Sequence, residues 1–168
     1  MKAKLPPRSR RIAIILGGSL VLALLLGGTA LLWVAGYFDR DPVHIYGNTA
    51  DGSPVAAVYF SGDMGLHLGI GSDVVPELAA HGMPVVGVST PAIFGHRRDR
   101  AFVDDLVADA VRDTLNRTHA KKVVLVGQSY GSDILAAGAP ALPDDLRSKV
   151  AALVLVVPGR TGYFRADP

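Results

Sequence analysis

The sequence has 168 residues, 49% of them hydrophobic, which suits one modest domain with a hydrophobic core. The absence of cysteine excludes disulfides, a catalytic thiol and thiolate metal sites. Five of the 17 Lys and Arg residues lie before residue 12, and the other 12 are set against 15 Asp and Glu residues. The body of the chain is therefore mildly acidic, which argues against a nucleic-acid-binding domain.

The N-terminal segment has the pattern of a membrane anchor. Residues 1–11 form a basic flank, and residues 12–36 contain no ionisable side chain. At about 1.5 Å per residue, a helix of this length spans the roughly 30 Å hydrocarbon core of a bilayer. We predict an uncleaved signal anchor with a cytoplasmic N-terminus, because the basic residues lie on its N-terminal side. A cleaved signal peptide is the alternative, although its apolar core is usually only about 7–15 residues long.

In either case the remaining chain is exported, and the uncleaved anchor predicts a single-pass inner-membrane protein with a periplasmic or extracellular domain. Residues 37–54 are predicted to be a linker with a possible first strand over Val43–Tyr46. The apolar run Val55–Phe60 predicts a buried strand. After a glycine-rich loop, Ser72 or Asp73 could cap a helix that continues to about Ala80.

The second half of the domain, which we place at residues 55–168, alternates strands and helices. "VVGVS" predicts a strand, and residues 99–116 predict an amphipathic helix. "KVVLVG" predicts the next strand, "YGSDILAAGA" a helix, "PDDLRSK" a short helical connection and "VAALVLVVP" a last strand. The predicted apolar face of the amphipathic helix comprises Phe102, Leu106, Val107, Ala110, Val111 and Leu115. The alternation predicts an α/β fold with a parallel sheet, helices on both faces, and ligands at the carboxyl ends of the strands.

A Gly-x-Ser-x-Gly pattern, Gly127 to Gly131, lies between a predicted strand and a predicted helix. A nucleophile elbow needs this context, since the turn strains the serine and leaves no room for side chains two residues away. Ser129 is then the nucleophile, and the amide of Tyr130 faces the developing oxyanion. The alternative is a glycine-rich turn with an ordinary capping serine.

A second glycine-rich turn, "FSGDMG", follows the strand Val55–Phe60. An elbow enzyme takes its second oxyanion donor from such a loop, and we assign this role to the amide of Asp63 or Met64, with Gly62 allowing close approach. Without the elbow, Gly62 and Gly65 would simply form a turn.

In this order, "FSGDMG", "VVGVST…FGHRR" and "VVLVGQSYGSD" resemble the VirJ family, an α/β-hydrolase-like domain of bacterial virulence proteins that also forms the C-terminal part of AcvB. The similarity extends from about Val55 to Val157. That family typically shows SGDGGW, an arginine pair after the next strand, and a G-x-S-x-G-A-D elbow. This sequence departs from the pattern at Met64, Leu66 and Ser132.

The resemblance implies a nucleophile at Ser129, an oxyanion loop at Gly62 and Asp63, and an anion-binding role for Arg97 and Arg98. It implies aminoacyl-phosphatidylglycerol, notably the lysyl ester, as substrate. Paired guanidiniums suit a phosphodiester, although "HRRDR" could equally be a solvated loop. We also assign Gln128 and Asp133 to substrate binding, while the helix dipole alone would favour an acid at position 133. The alternative function is a non-catalytic periplasmic component that binds secretion substrates or secretion machinery.

The catalytic base is the missing part. The order in this fold is Ser, then Asp or Glu, then His, yet all five histidines precede Ser129. His96 follows a strand at the catalytic edge and is our candidate base, ahead of His67 in the oxyanion loop; His81 and His119 are expected at helix ends. We therefore expect a chain without the C-terminal strands of the domain, an exposed apolar strand at "VAALVLVVP", and little hydrolysis unless another segment supplies the base. No cofactor and no metal site is predicted.

Overall fold

A computed structural model describes residues 7–49, 52–159, 162 and 164. Helix α1, Pro7–Val34, begins the described chain, so the first six residues of the predicted basic flank lie outside the description. Within α1, Arg10–Val34 is long and apolar enough to cross a membrane by length and composition, and its most apolar window is wholly exposed. Signal sequences share these properties.

Five strands form one sheet in the order β1-β3-β2-β4-β5. Their bounds are Val43–Tyr46 for β1, Val55–Phe60 for β2, Val85–Val88 for β3, Lys122–Gln128 for β4 and Val150–Val156 for β5. The pairings among β2, β3, β4 and β5 are parallel, as predicted. Strand β1 differs, because it runs antiparallel to β3. It begins opposite the carboxyl end of β3 and runs back toward the edge where β2 starts.

The connecting helices are α2 (Gly71–Ala80), α3 (Thr90–Phe94), α4 (Arg100–Thr118), α5 (Tyr130–Gly138), a 3₁₀ turn (Ala139–Ala141) and α6 (Asp144–Arg147). The predicted helices are confirmed, and α3 was not predicted. The predicted cap of α2 is wrong, because Ile70 precedes the helix and Ser72 Oγ instead donates to Gly69 O at 2.6 Å. Asp73 lies within the first turn.

The core lies on both faces of the sheet, as the alternating side chains of β2 show. Val58 and Phe60 pack with the cluster formed by α3, α4, α5 and α6, whereas Ala57 and Tyr59 pack beneath α2. The sheet is thus covered on both faces, which confirms the predicted α/β architecture.

Helix α4 turns a slightly different face to the sheet than its apolar pattern predicts. Val107 and Val111 are fully buried as predicted, but Val103 and Thr114 are also fully buried. The other predicted residues pack around the cluster and are partly buried: Phe102, Leu106, Ala110 and Leu115.

Strand β5 lies at the sheet edge and is largely exposed. Leu153 is 44% exposed and Val154 is 42% exposed. Among the described residues, β5 pairs only with β4, so the predicted exposure of an apolar edge strand is confirmed.

Candidate active site

Ser129 lies between the end of β4 and the start of α5 in a strained conformation. Its φ is 49° and its ψ is −119°, a region that L residues with a Cβ rarely occupy. The Ser129 amide donates to Val156 O at 2.8 Å, and its carbonyl accepts from Ser132 N at 2.9 Å. The surrounding backbone therefore holds the serine in this conformation at the carboxyl edge of the sheet.

Both glycines of the Gly-x-Ser-x-Gly pattern are required by close backbone approach. A Cβ on Gly127 would lie 2.7 Å from Gly131 O and from Ser132 Cα. A Cβ on Gly131 would lie 2.5 Å from Ser61 O, so α5 begins directly against the end of β2. An ordinary capping serine requires neither approach, and close backbone packing of this kind is what a nucleophile elbow needs. The elbow itself stays a prediction.

The loop after β2 lies against the serine. A Cβ on Gly62 would lie 3.3 Å from Ser129 Cβ, and Gly62 O accepts from Gly65 N at 3.0 Å to close a tight turn. Asp63 and Met64 form the exposed tip of this turn. The structure therefore brings the predicted oxyanion loop and the predicted nucleophile together, although the oxyanion roles of the Asp63 and Tyr130 amides stay predictions.

A buried hydroxyl network fixes this loop, and the sequence analysis missed it. Thr90 Oγ1 donates to Ser61 O at 3.0 Å and lies 3.2 Å from Gly62 O. In return, Ser61 Oγ accepts from Thr90 N at 3.0 Å. Both residues are almost completely buried, and they tie the loop after β2 to the start of α3. The signal that could have found them is a hydroxyl residue within two positions of the end of each of two neighbouring strands.

Ser132 and Asp133 connect the elbow to the segment around the end of β5. The buried Ser132 hydroxyl donates to Gly127 O at 2.6 Å and accepts from Val156 N at 3.0 Å. The Asp133 carboxylate accepts from Gly159 N at 2.7 Å. Asp133 thus has a backbone partner in this structure, and its assigned part in substrate binding stays a prediction.

Gln128, the other residue assigned to substrate binding, has a partner beneath the sheet. Its Oε1 accepts from Tyr59 OH at 2.8 Å. Burial raises the pKa of Tyr59 to about 12, so this phenol stays protonated and remains a donor at neutral pH. The contact orients Gln128 beside Gly62.

The two arginines predicted to bind anions differ in their surroundings. Arg98 Nε donates to Ile93 O at 3.1 Å, and its guanidinium carbon lies 4.5 Å from the centre of the Phe102 ring. Arg98 is therefore partly committed to packing on α4. Arg97 and the neighbouring His96 are exposed. Anion binding by this pair is not tested by these contacts.

None of the described histidines is hydrogen-bonded to Ser129, the predicted nucleophile. His81 and His119 cap the C-terminal ends of α2 and α4, as expected for them. His44 faces Asp39 and His67. No hydrogen bond joins Ser129 to His96 or to any other of the five histidines, all of which lie within the described ranges.

The end of α1 packs at the same carboxyl edge of the sheet. A Cβ on Gly65 would lie 3.0 Å from the Ala35 carbonyl carbon, and one on Gly36 would lie 3.1 Å from Ser89 Oγ. Beside this contact is an apolar cleft of about 540 Å³, lined by Trp33, Val34, Gly36, Phe38, Asp39, Arg40, His44 and His67. The apolar helix therefore ends next to the loop that contacts Ser129.

Comparison with known proteins gives a family match and a match to a solved structure. The sequence model of the bacterial virulence protein VirJ matches residues 54–167, which confirms the resemblance. A solved structure described as an α/β hydrolase fold protein of unknown function is 18% identical, with a TM-score of 0.44, over 66% of this chain and 37% of that one. No curated protein matches. The chain belongs to the VirJ family of bacterial virulence proteins.

Proposed function

We propose that this chain is a membrane-anchored, extracytoplasmic serine hydrolase that acts on an ester. The observation that carries the proposal is the strained Ser129, held between two sterically required glycines and against the Gly62 turn. Strain of this kind costs about 1–3 kcal/mol and is typical of functional sites.

In the proposed reaction, Ser129 Oγ attacks the ester carbonyl carbon while its proton passes to a general base. His96 is the candidate base predicted from the sequence, but it has no hydrogen bond to Ser129 in this structure, so turnover requires that His96, or a base from another segment, moves next to Ser129. The carbonyl oxygen becomes an oxyanion that accepts hydrogen bonds from the amides of Tyr130 and of Asp63 or Met64. The bond to the leaving alcohol then breaks, and the alcohol takes the proton. Water hydrolyses the acyl-enzyme in a second, equivalent step and restores Ser129.

The proposed substrate class is an aminoacyl ester of phosphatidylglycerol, as the VirJ resemblance implies. Two features support a lipid substrate. Helix α1 ends against the loop that contacts Ser129, so a spanning α1 would hold the site at the membrane surface. The exposed Arg97, with the partly committed Arg98 beside it, offers positive charge for a lipid phosphate. Positive charge before α1 favours a cytoplasmic N-terminus and an exported domain.

The experiment compares turnover of lysyl-phosphatidylglycerol by the full chain in its native membrane with turnover by two variants. Ser129→Ala removes the nucleophile, and Ser148→Ala, at an exposed serine before β5, is the matched control. We expect lysine release to fall by at least about 100-fold in Ser129→Ala and to be unchanged in Ser148→Ala. Equal release by wild type and Ser129→Ala would refute the proposal.

A second candidate is a non-catalytic periplasmic component that binds secretion substrates or secretion machinery. The observation that favours it is that no hydrogen bond joins a described histidine to Ser129. Cross-linking in membranes, followed by identification of captured secretion proteins, tests it. Capture that is equal for wild type and Ser129→Ala, together with no ester turnover by either, would favour binding over catalysis.

A further inference from the structure

Three side chains capable of binding a metal ion converge beside the end of α1. Asp39 lies in the turn after α1, His44 lies on β1, and His67 lies in the loop after β2. One ligand atom from each lies within 4.8 Å of the other two. The three residues come from separate segments, so only the fold brings them together.

Two of these side chains are already fixed by contacts. His44 Nε2 lies 2.8 Å from Asp39 Oδ2, and Asp39 Oδ1 accepts from Asp41 N at 3.2 Å. The Asp39 and His44 side chains are only 24% and 31% exposed. The pair is therefore partly shielded from water, which strengthens its interaction with a cation.

The third side chain completes a set of donors. The His67 ring meets the His44 ring edge to face, with 5.3 Å between the ring centres. A simple hydrogen bond between His44 and Asp39 does not require His67 to be there. His67 is exposed, so its ring is free of the core and can adjust its position.

We propose that Asp39, His44 and His67 bind a divalent transition-metal ion, with Zn²⁺ preferred. Two imidazoles and one carboxylate suit Zn²⁺, whereas Mg²⁺ and Ca²⁺ take oxygen ligands. Around a tetrahedral Zn²⁺, with bonds of about 2.0–2.2 Å, the ligand atoms lie roughly 3.3 Å apart. His44 Nε2 and Asp39 Oδ2, now 2.8 Å apart, must therefore separate by about 0.5 Å, and the ligand atom of His67 must approach them by up to about 1.5 Å, a movement within reach of its exposed side chain.

The position of the site gives the ion a structural role. An ion held by all three residues connects the turn after α1 to β1 and to the loop that includes Gly62 and Gly65. All three residues line the cleft beside Trp33 and Phe38, so a ligand in the cleft could complete the coordination of a bound ion. Arg40 also lines this cleft, but it is exposed, so water screens its charge from the ion. The bound metal thus fixes the domain against the end of α1.

The test uses the full chain in detergent micelles, purified with a tag that contains no histidine and then stripped of metal with a chelator. Calorimetric titration with Zn²⁺ measures stoichiometry and affinity, and the visible absorption spectrum with Co²⁺ reports the coordination geometry. The variants are Asp39→Asn, His44→Ala and His67→Ala. The matched controls are His81→Ala and His96→Ala, two histidines outside the cluster.

We expect wild type and both controls to bind one equivalent of Zn²⁺, and His44→Ala and His67→Ala to bind at least about tenfold more weakly. Zn²⁺ should also raise the Tm of wild type and the controls but not of these two variants. Absence of stoichiometric binding to wild type would overturn the proposal, as would an equal loss of affinity in the controls. If His44→Ala fails to fold by circular dichroism, the exposed His67→Ala decides the outcome.

Discussion

Ser129 is the proposed nucleophile, and its strained backbone distinguishes it from the other serines that the structure describes. Its φ of 49° and ψ of −119° would be unremarkable for glycine but are unfavourable for serine. No core packing requires a side chain here, since Ser129 is half-buried and lies at the carboxyl ends of the strands. The serine is therefore best explained by its hydroxyl group, which we assign to nucleophilic attack.

A glycine at this position should relieve the strain. We expect Ser129→Gly to raise the free energy of unfolding by about 1 kcal/mol, because released strain exceeds the added entropy of the unfolded chain. Ser129→Ala should leave this free energy within about 0.5 kcal/mol of wild type. Denaturant unfolding in micelles provides the measurement. Destabilisation by Ser129→Gly would show that the serine is retained for stability.

Tyr59 makes a separate, pH-dependent contribution to the stability of the folded state. Burial raises its pKa from 10.0 to about 12, so the folded state retains the proton that the unfolded state releases. The stabilisation is fully present below pH 10 and is lost as the pH rises toward about 12. We expect the Tm of wild type to fall more steeply over this window than the Tm of Tyr59→Phe. Parallel Tm curves for the two proteins would contradict this assignment.

The predicted elbow is held in place by contacts between the ends of neighbouring strands. Strand β4 presents Ser129, β2 presents the Gly62 turn, and β3 leads into Thr90. The Thr90 hydroxyl is the buried donor that holds the turn after β2. Rigid positioning of this turn is needed if its amide is to face an oxyanion.

Thr90→Val keeps the shape of the side chain and removes that donor. We expect the free energy of unfolding to fall by about 1–3 kcal/mol, because the buried carbonyl of Ser61 loses a partner. Ester hydrolysis should fall as well. The matched control is Thr114→Val on α4, where the buried hydroxyl donates only to Ala110 O in its own helix. Equal hydrolysis by the two variants would argue against a positioning role for Thr90.

Strands and long helices were predictable from the sequence because each has its own local pattern. The bounds Val43–Tyr46 and Val55–Phe60 are those of β1 and β2, and the Gly-x-Ser-x-Gly pattern predicted the strand–turn–helix context of Ser129. The short α3 was not predicted, because five residues show too little periodicity.

The contacts between elements were less predictable. The bond between Ser61 and Thr90 joins residues 29 positions apart, which no local pattern reveals. The antiparallel direction of β1 and the convergence of Asp39, His44 and His67 also depend on packing between separate segments.

The end of α1 packs against the carboxyl edge of the sheet, and this contact relates the apolar helix to the candidate site. If α1 spans the membrane, the site near Ser129 faces a lipid surface, which favours a lipid ester over a soluble substrate. The same packing places the proposed metal site beside the end of α1.

The predicted anchor places the domain outside the cytoplasm. Alkaline phosphatase fused after the domain should be active, because the basic flank keeps the N-terminus cytoplasmic. Intact mass measurement should show that the N-terminal segment is retained. The substitution Leu22→Arg should reduce membrane integration, because an arginine near the middle of a span raises the free energy of insertion by about 2.5–3.5 kcal/mol. An inactive fusion, or loss of the N-terminal segment, would contradict the predicted anchor.

Covalent labelling of Ser129 by a fluorophosphonate in the native membrane tests directly whether this serine is an activated nucleophile. The reagent forms a bond to an activated serine oxygen with loss of fluoride, and peptide mass spectrometry identifies the labelled residue. We predict an adduct on Ser129 in wild type and in Ser148→Ala, and no adduct in Ser129→Ala. Failure of folded wild type to acquire the adduct at Ser129 would contradict its role as a nucleophile.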